Sequence, residues 1–228
     1  QILLAPMGWV FIIIVALVLP NEMLIVARGW MILGTACFSV WLASEVLAQK
    51  FNWEGSGITV LFLLPMSRRR MLAAKSLALL VPVIAVNLAG LATVCWATGA
   101  PARYHLAALV ILLSGIAIAD AHGSVLSILT PVNLQAYTSA RKRRTMEQSG
   151  CLAQLALHLA TFALSLTVLP LLVAMVWALA FGGVLGLVLV SALMAAAVWL
   201  YCRWVHSSAV RLLKARETAI IRELHLPD

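Results

Sequence analysis

The chain has 228 residues, of which 64% are hydrophobic and 11% charged, with a mean hydropathy of +1.04. A soluble domain carries roughly a quarter of charged residues, so this composition excludes an ordinary soluble globule, a disordered chain and a disulfide-stapled secreted domain. Sixteen Lys+Arg against eight Asp+Glu give a net charge of +8, a balance that in a soluble protein would point to nucleic acid.

The apolar surplus must face lipid. A bilayer-spanning helix needs about 20 apolar residues, so the length holds about six spans. In chain order they are predicted over residues 2–19, 30–48, 76–96, 105–130, 151–179 and 181–202. The predicted fold is an all-α polytopic membrane protein, a six-transmembrane-helix bundle over 1–202 followed by a cytoplasmic helical tail over 203–228. Pro20-Asn21-Glu22 closes the first span, and a short loop holding Arg28 is expected before the second. The fifth and sixth spans have almost no loop, which requires a tight hairpin around Gly182-Gly183. Small residues along the sixth span (Gly182, Gly183, Gly186, Ser191, Ala192) fit close helix packing. The chain starts at Gln1, and its first apolar run lacks the basic leader and cleavage site of a signal peptide. Upstream residues are therefore expected.

These spans explain the charge. With the end after the second span placed in the cytoplasm, that side collects Lys50, Arg68, Arg69, Arg70, Lys75, Arg141, Lys142, Arg143, Arg144, Arg203, Arg211, Lys214, Arg216 and Arg222. The opposite side keeps only Arg28 and Arg103. Lys and Arg concentrate in cytoplasmic loops, so the bias of fourteen to two predicts both termini inside and removes the case for nucleic acid. The expected location is a bacterial inner (cytoplasmic) membrane, with some cations meeting anionic headgroups. The cysteines Cys37, Cys95, Cys151 and Cys202 have no C-x-x-C spacing, so neither zinc nor a structural disulfide is expected.

One cytoplasmic loop is not explained by lipid-facing spans. In residues 51–75, Gly55 and Gly57 allow a sharp turn, and the run 58–64 is too short to span a bilayer yet too apolar to lie free in water. Pro65 ends the run, Arg68, Arg69 and Arg70 follow, and Lys75 opens the third span. The stretch reads as a short helix on the inner surface, held either by headgroup-seeking cations or against a partner protein.

The residues Phe51, Trp53, Gly55, Gly57, Pro65, Ser67, Arg68, Arg69 and Lys75 resemble the loop between the second and third spans of ABC-type exporter permeases of the second class (the ABC-2 superfamily). Those proteins carry a pattern close to F-G-W-D-G-x-G, an apolar stretch, P-x-S-R-R and a Lys. Here Asn52 stands where Gly is usual and Glu54 where Asp is usual. The stretch Gly123–Pro131 also resembles the family's G-N-x-x-S-x-x-x-P, with Ser124 in place of Asn. The resemblance implies two six-span bundles forming a pathway, driven by separate cytoplasmic ATPase subunits that bind ATP and Mg. The second bundle would be another copy, a paralogue or a preceding half. It further implies that the 51–70 segment holds a coupling helix seated in a groove of the ATPase, contacted through Phe51, Trp53, Glu54, Gly55, Gly57, Pro65, Arg68 and Arg69. Glu54 would meet a cation of the ATPase; the alternative is a solvated loop carboxylate. No G-x-x-x-x-G-K-[ST] loop occurs in the sequence, so the chain is not expected to bind or hydrolyse ATP itself.

Three ionisable residues are singled out deeper within the predicted spans. Asp120 and His122 sit in the inner half of the fourth and His158 in the fifth. Such positions raise a functional hypothesis by default: a proton relay, a substrate contact, or an intramembrane enzyme acting on a lipid-derived substrate if all three converge in one cavity. The competing reading is a structural hydrogen bond within the bundle. A transport-inactive scaffold of the same fold is a further alternative. Glu45, one turn from the inner interface, is expected to reach water. Trp9, Trp30, Trp96, Trp199 and Trp204 fit interfacial belts.

Overall fold

The computed structural model describes residues 21–48, 50–51, 62–63, 65–129 and 169–224. Five helices carry them: α1 (Asn21–Leu47), α2 (Arg68–Thr98), α3 (Ala102–Leu129), α4 (Leu169–Phe181) and α5 (Gly183–Leu224). Among the described residues there is no strand, and four helices, all but α4, are long and apolar enough to cross a membrane. The predicted first span, most of the fifth and the basic segment 131–150 lie outside the described residues.

Several boundaries differ from the sequence expectation. The loop expected around Arg28 is helical, because α1 begins at Asn21. Between Asn21 and Trp30 only Gly29 opposes a helix. The third span starts earlier, at Arg68, where Ser67 caps it by accepting a hydrogen bond from the Arg70 amide at 3.4 Å. It ends where Gly99 adopts φ +57° and returns its amide to the Cys95 carbonyl at 3.2 Å. The sixth span does not stop at Cys202 but continues unbroken into the predicted tail. Between α4 and α5, Gly182 alone interrupts the helices and Gly183 takes φ +57°, which agrees with the expected hairpin.

The chain direction of each helix follows from its contacts. Gly29 abuts Tyr104, Val40 abuts Gly115, and Leu47 abuts Gly123, so α1 and α3 run parallel in a steady register. Cys202 Sγ donates to the Ala117 carbonyl and Arg216 to the Leu129 carbonyl, so α5 also runs parallel to α3. The α2 helix returns in the opposite sense, starting beside the end of α1. The α3 helix is the hub, and the stripe Ile32, Ala36, Val40, Ala43 and Leu47 of α1 packs on its Ala108, Ile111, Leu112 and Ile116. Gly115 and Gly123 allow this approach. A methyl at Gly115 would strike the Val40 side chain, and one at Gly123 the Leu47 carbonyl.

Leu77, Val81 and Trp96 of α2, and Val184, Leu185, Val188, Leu193, Trp199 and Leu200 of α5, are exposed, as lipid-facing side chains are. At 1.5 Å per residue α5 is about 63 Å long, twice the ~30 Å hydrocarbon thickness. Its distal half therefore extends beyond the hydrocarbon. There it meets a second apolar cluster formed by Phe51, Phe62, Met71, Leu72, Ile128, Ala209, Leu213 and Ile220. Among the described basic residues, Lys50, Arg68, Arg69, Arg70, Lys75, Arg203, Arg211, Lys214 and Arg216 belong to this end, and Arg28 and Arg103 to the other.

Candidate functional site

The site lies where the end of α1, the start of α2, the end of α3 and the distal half of α5 meet. Lys50 is its centre. Its ammonium donates to Ser76 Oγ of α2 at 2.8 Å, to the Asp120 carbonyl at 2.8 Å and to Ser124 Oγ at 2.7 Å, both of α3. It also pairs with Asp120 Oδ1 at 2.5 Å. Ser124 in turn donates to the Asp120 carbonyl at 2.9 Å. Only 2% of Lys50 is exposed, so the cation is not the solvated flank that its position after a span predicts. A buried charge persists only when paired and hydrogen-bonded, and here α2 and α3 supply the partners. Burial pushes the Lys50 ammonium below its ordinary range, and the Asp120 carboxylate pulls it partly back.

The chain next to Lys50 is held as firmly. Lys75 Nζ donates to the Lys50 carbonyl at 3.3 Å and stands 4.6 Å from the centre of the Phe51 ring. Phe51 is wholly buried in the second apolar cluster, and Phe62 enters the same cluster. The two residues that flank segment 52–61 are thus anchored at one place, on α2, α3 and α5.

The distal half of α5 closes the site. Arg68 makes a bidentate pair with Glu217, Nε to Oε2 at 2.9 Å and an Nη to Oε1 at 2.5 Å, and its guanidinium also covers the Phe62 ring at 5.1 Å. One residue earlier, Arg216 donates to the Leu129 carbonyl at 2.7 Å and the Ile128 carbonyl at 3.3 Å. Both carbonyls belong to α3, so this cation joins the distal half of α5 to that helix.

The residues singled out from sequence are distributed as follows. Trp53, Glu54, Gly55, Gly57 and His158 lie outside the described residues. Pro65 and Arg69 are exposed, whereas Phe51 is enclosed by its own chain and Arg68 engages Glu217. Asp120 faces Lys50, while His122 Nε2 meets the Tyr201 hydroxyl of α5 at 2.5 Å with the rings edge to face. Two residues apart on a helix, their side chains point to nearly opposite sides, and each already has a protein partner. Glu45 is 9% exposed rather than reaching water, because α1 turns that face toward the bundle.

Lys50, Ser76, Tyr201, Arg216 and Glu217 were not picked out from sequence as members of a site. Only Lys50 carried a signal, by standing directly before the Phe51 motif. Gly123 and Ser124 both serve this site: the glycine admits the end of α1 and the serine binds Lys50. Among the described residues, no group of three His, Cys, Asp or Glu side chains is placed to hold a metal ion. No protein-family model matches the chain, and neither a curated protein nor a solved structure matches it significantly.

Proposed function

We propose that this chain is the membrane-spanning permease subunit of an ABC exporter, with its basic end in the cytoplasm of a bacterium. A separate ATPase subunit binds ATP and Mg, and a second bundle completes the pathway. The observation that carries the reading is the shared anchorage of Phe51 and Phe62 in one apolar cluster with Met71, Leu72, Ile128 and Leu213. A push on segment 52–61 is delivered through its two flanks to α2, α3 and α5 together. Packed helices respond to such a push by rigid-body shifts rather than by smooth deformation. The resemblance of the same segment to a coupling helix supplies the identity of the pusher, and Lys50 links α1 to the same unit.

The test is co-purification and coupling. The chain carries an ATPase through purification, and Trp53→Ala with Glu54→Ala leaves that ATPase active while transport into inverted vesicles falls at least tenfold. Unchanged transport in the double variant, or a functional preparation without any ATPase, rejects the assignment.

A further inference from the structure

The cations of the basic end divide into two sets by the direction of the helices that carry them. In an α-helix every Cα–Cβ bond tilts toward the N-terminus. The α2 helix begins at this end, so Arg69 and Arg70 are tilted away from the bilayer. The α5 helix runs out of the bilayer at this end, so its cations are tilted back toward it.

The contacts show this backward lean. Arg203 lays its guanidinium over the Trp199 ring, 5.5 Å from the centroid and four residues nearer the bilayer. Arg211 reaches back to Ser208 Oγ at 3.4 Å. Arg203, Ser207, Arg211 and Lys214 recur at intervals of three and four residues and are all exposed, so they form one stripe. The opposite face, with Val205, Ala209 and Leu213, is buried. The only described carboxylate on this stretch of α5, Glu217, is engaged by Arg68.

The depth of the stripe is set by the apolar face before it. Exposed apolar residues run from Val184 to Leu200, about 25 Å along the axis, close to the ~30 Å hydrocarbon thickness. Arg203 and Trp204 follow at the headgroup level, where an aromatic ring and a cation are both at home. Arg211 starts about 12 Å farther along the axis, and its lean toward Ser208 brings the charge to within about a Debye length of the headgroup layer.

We propose that Arg203, Arg211 and Lys214, with Trp199 and Trp204 beside them, form a binding stripe for the headgroup phosphates of anionic phospholipids, which fixes the depth and rotation of α5. The occupant is lipid rather than a soluble anion, because the cations lean onto the membrane surface and converge on no enclosed pocket. This inference is independent of the exporter assignment. Arg203 contributes most and Lys214 least, in the order of their distance from the bilayer.

The full chain, purified in a neutral detergent, is titrated with dioleoyl phosphatidylglycerol or dioleoyl phosphatidylcholine, and bound lipid is read by native mass spectrometry. A cation near an anionic surface contributes roughly fivefold in affinity. Wild type is expected to prefer the anionic lipid by about tenfold or more. Arg203→Gln with Arg211→Gln and Lys214→Gln abolishes the preference, replacement of both arginines by lysine keeps it, and Arg69→Gln with Arg70→Gln leaves it unchanged. A triple variant that retains the preference, an α2 variant that loses it, or displacement of the lipid by millimolar inorganic phosphate overturns the proposal. Should the triple variant not fold, Arg203→Gln alone decides: a preference reduced about fivefold supports the proposal and an unchanged one overturns it.

Discussion

Lys50 Nζ and Asp120 Oδ1 stand 2.5 Å apart with the lysine almost wholly enclosed. The pair joins the segment after α1 to the inner half of α3, and Ser76 brings α2 into the same contact. An ionisable residue inside a span, which sequence alone offers as a relay or substrate group, here closes a junction of three helices.

Removing one member of this pair strands the other. Breaking a buried pair from one side costs about 3–5 kcal/mol, whereas replacing both members with apolar residues is often near neutral. Lys50→Met and Asp120→Leu are each expected to be strongly destabilising, and the double variant to recover most of the loss. Denaturation of the purified protein in mixed micelles measures the cycle. Additive losses would show that the two side chains are not coupled.

The pH dependence has a definite sign. Burial lowers the Lys50 ammonium in the folded chain, against the partial restoring effect of Asp120. Folding therefore disfavours its charged form, and that penalty is fully present below the lowered pKa. Between that value and the ordinary lysine value of about 10.4 the unfolded chain holds more protons, so this contribution to stability rises with pH. The difference in thermal midpoint between wild type and Lys50→Met should change as pH is raised through the window just below that value and become constant above it. A difference that is flat throughout the window contradicts the assignment.

The long apolar runs made the four long apolar helices legible, since lipid exposure demands such runs whatever the packing. The glycine pair between α4 and α5 was legible for the same local reason, because only a break there lets two helices follow each other so closely. The burial of Lys50 was not. A lysine just after a span has the pattern of a headgroup cation, and what buries it is Asp120, seventy positions away, presented by a helix whose register depends on Gly115 and Gly123. Ser124, one turn after Asp120 on the same helix, was readable as a same-face neighbour, yet nothing local announces that both meet a cation. The continuation of α5 was obscured by its charges. The helix passes Arg203 without ending, and Arg68 and the second apolar cluster hold the inward face of the stretch beyond.

Gly123 is the position at which α1 and α3 approach most intolerantly. The obstacle to a side chain is the Leu47 carbonyl, a backbone atom that no rotamer change moves. Gly123→Ala is expected to cost about 1–3 kcal/mol through overpacking and to pull Lys50 away from Ser124. Gly34→Ala, where an added methyl meets nothing from the rest of the bundle within 4 Å, is the matched control and should be neutral or slightly stabilising. Equal thermal midpoints for the two variants would show that the helices are not in close contact at Gly123.

The Arg68–Glu217 fork ties the start of α2 to the distal half of α5, with side-chain exposures of 19% and 27%. Partly solvated, it contributes about 1 kcal/mol or less to stability, so its loss should leave the fold intact and act locally. Arg68→Ala and Glu217→Ala are each expected to release the end of α5, read as a severalfold faster cleavage after Arg216 by trypsin, with the thermal midpoint nearly unchanged. The exchange Arg68→Glu with Glu217→Arg restores the attraction with the partners reversed and should bring cleavage back toward the wild-type rate. If the single variants are cleaved no faster than wild type, the end of α5 is held by Leu213 and Ile220 in the apolar cluster and the fork adds nothing to it.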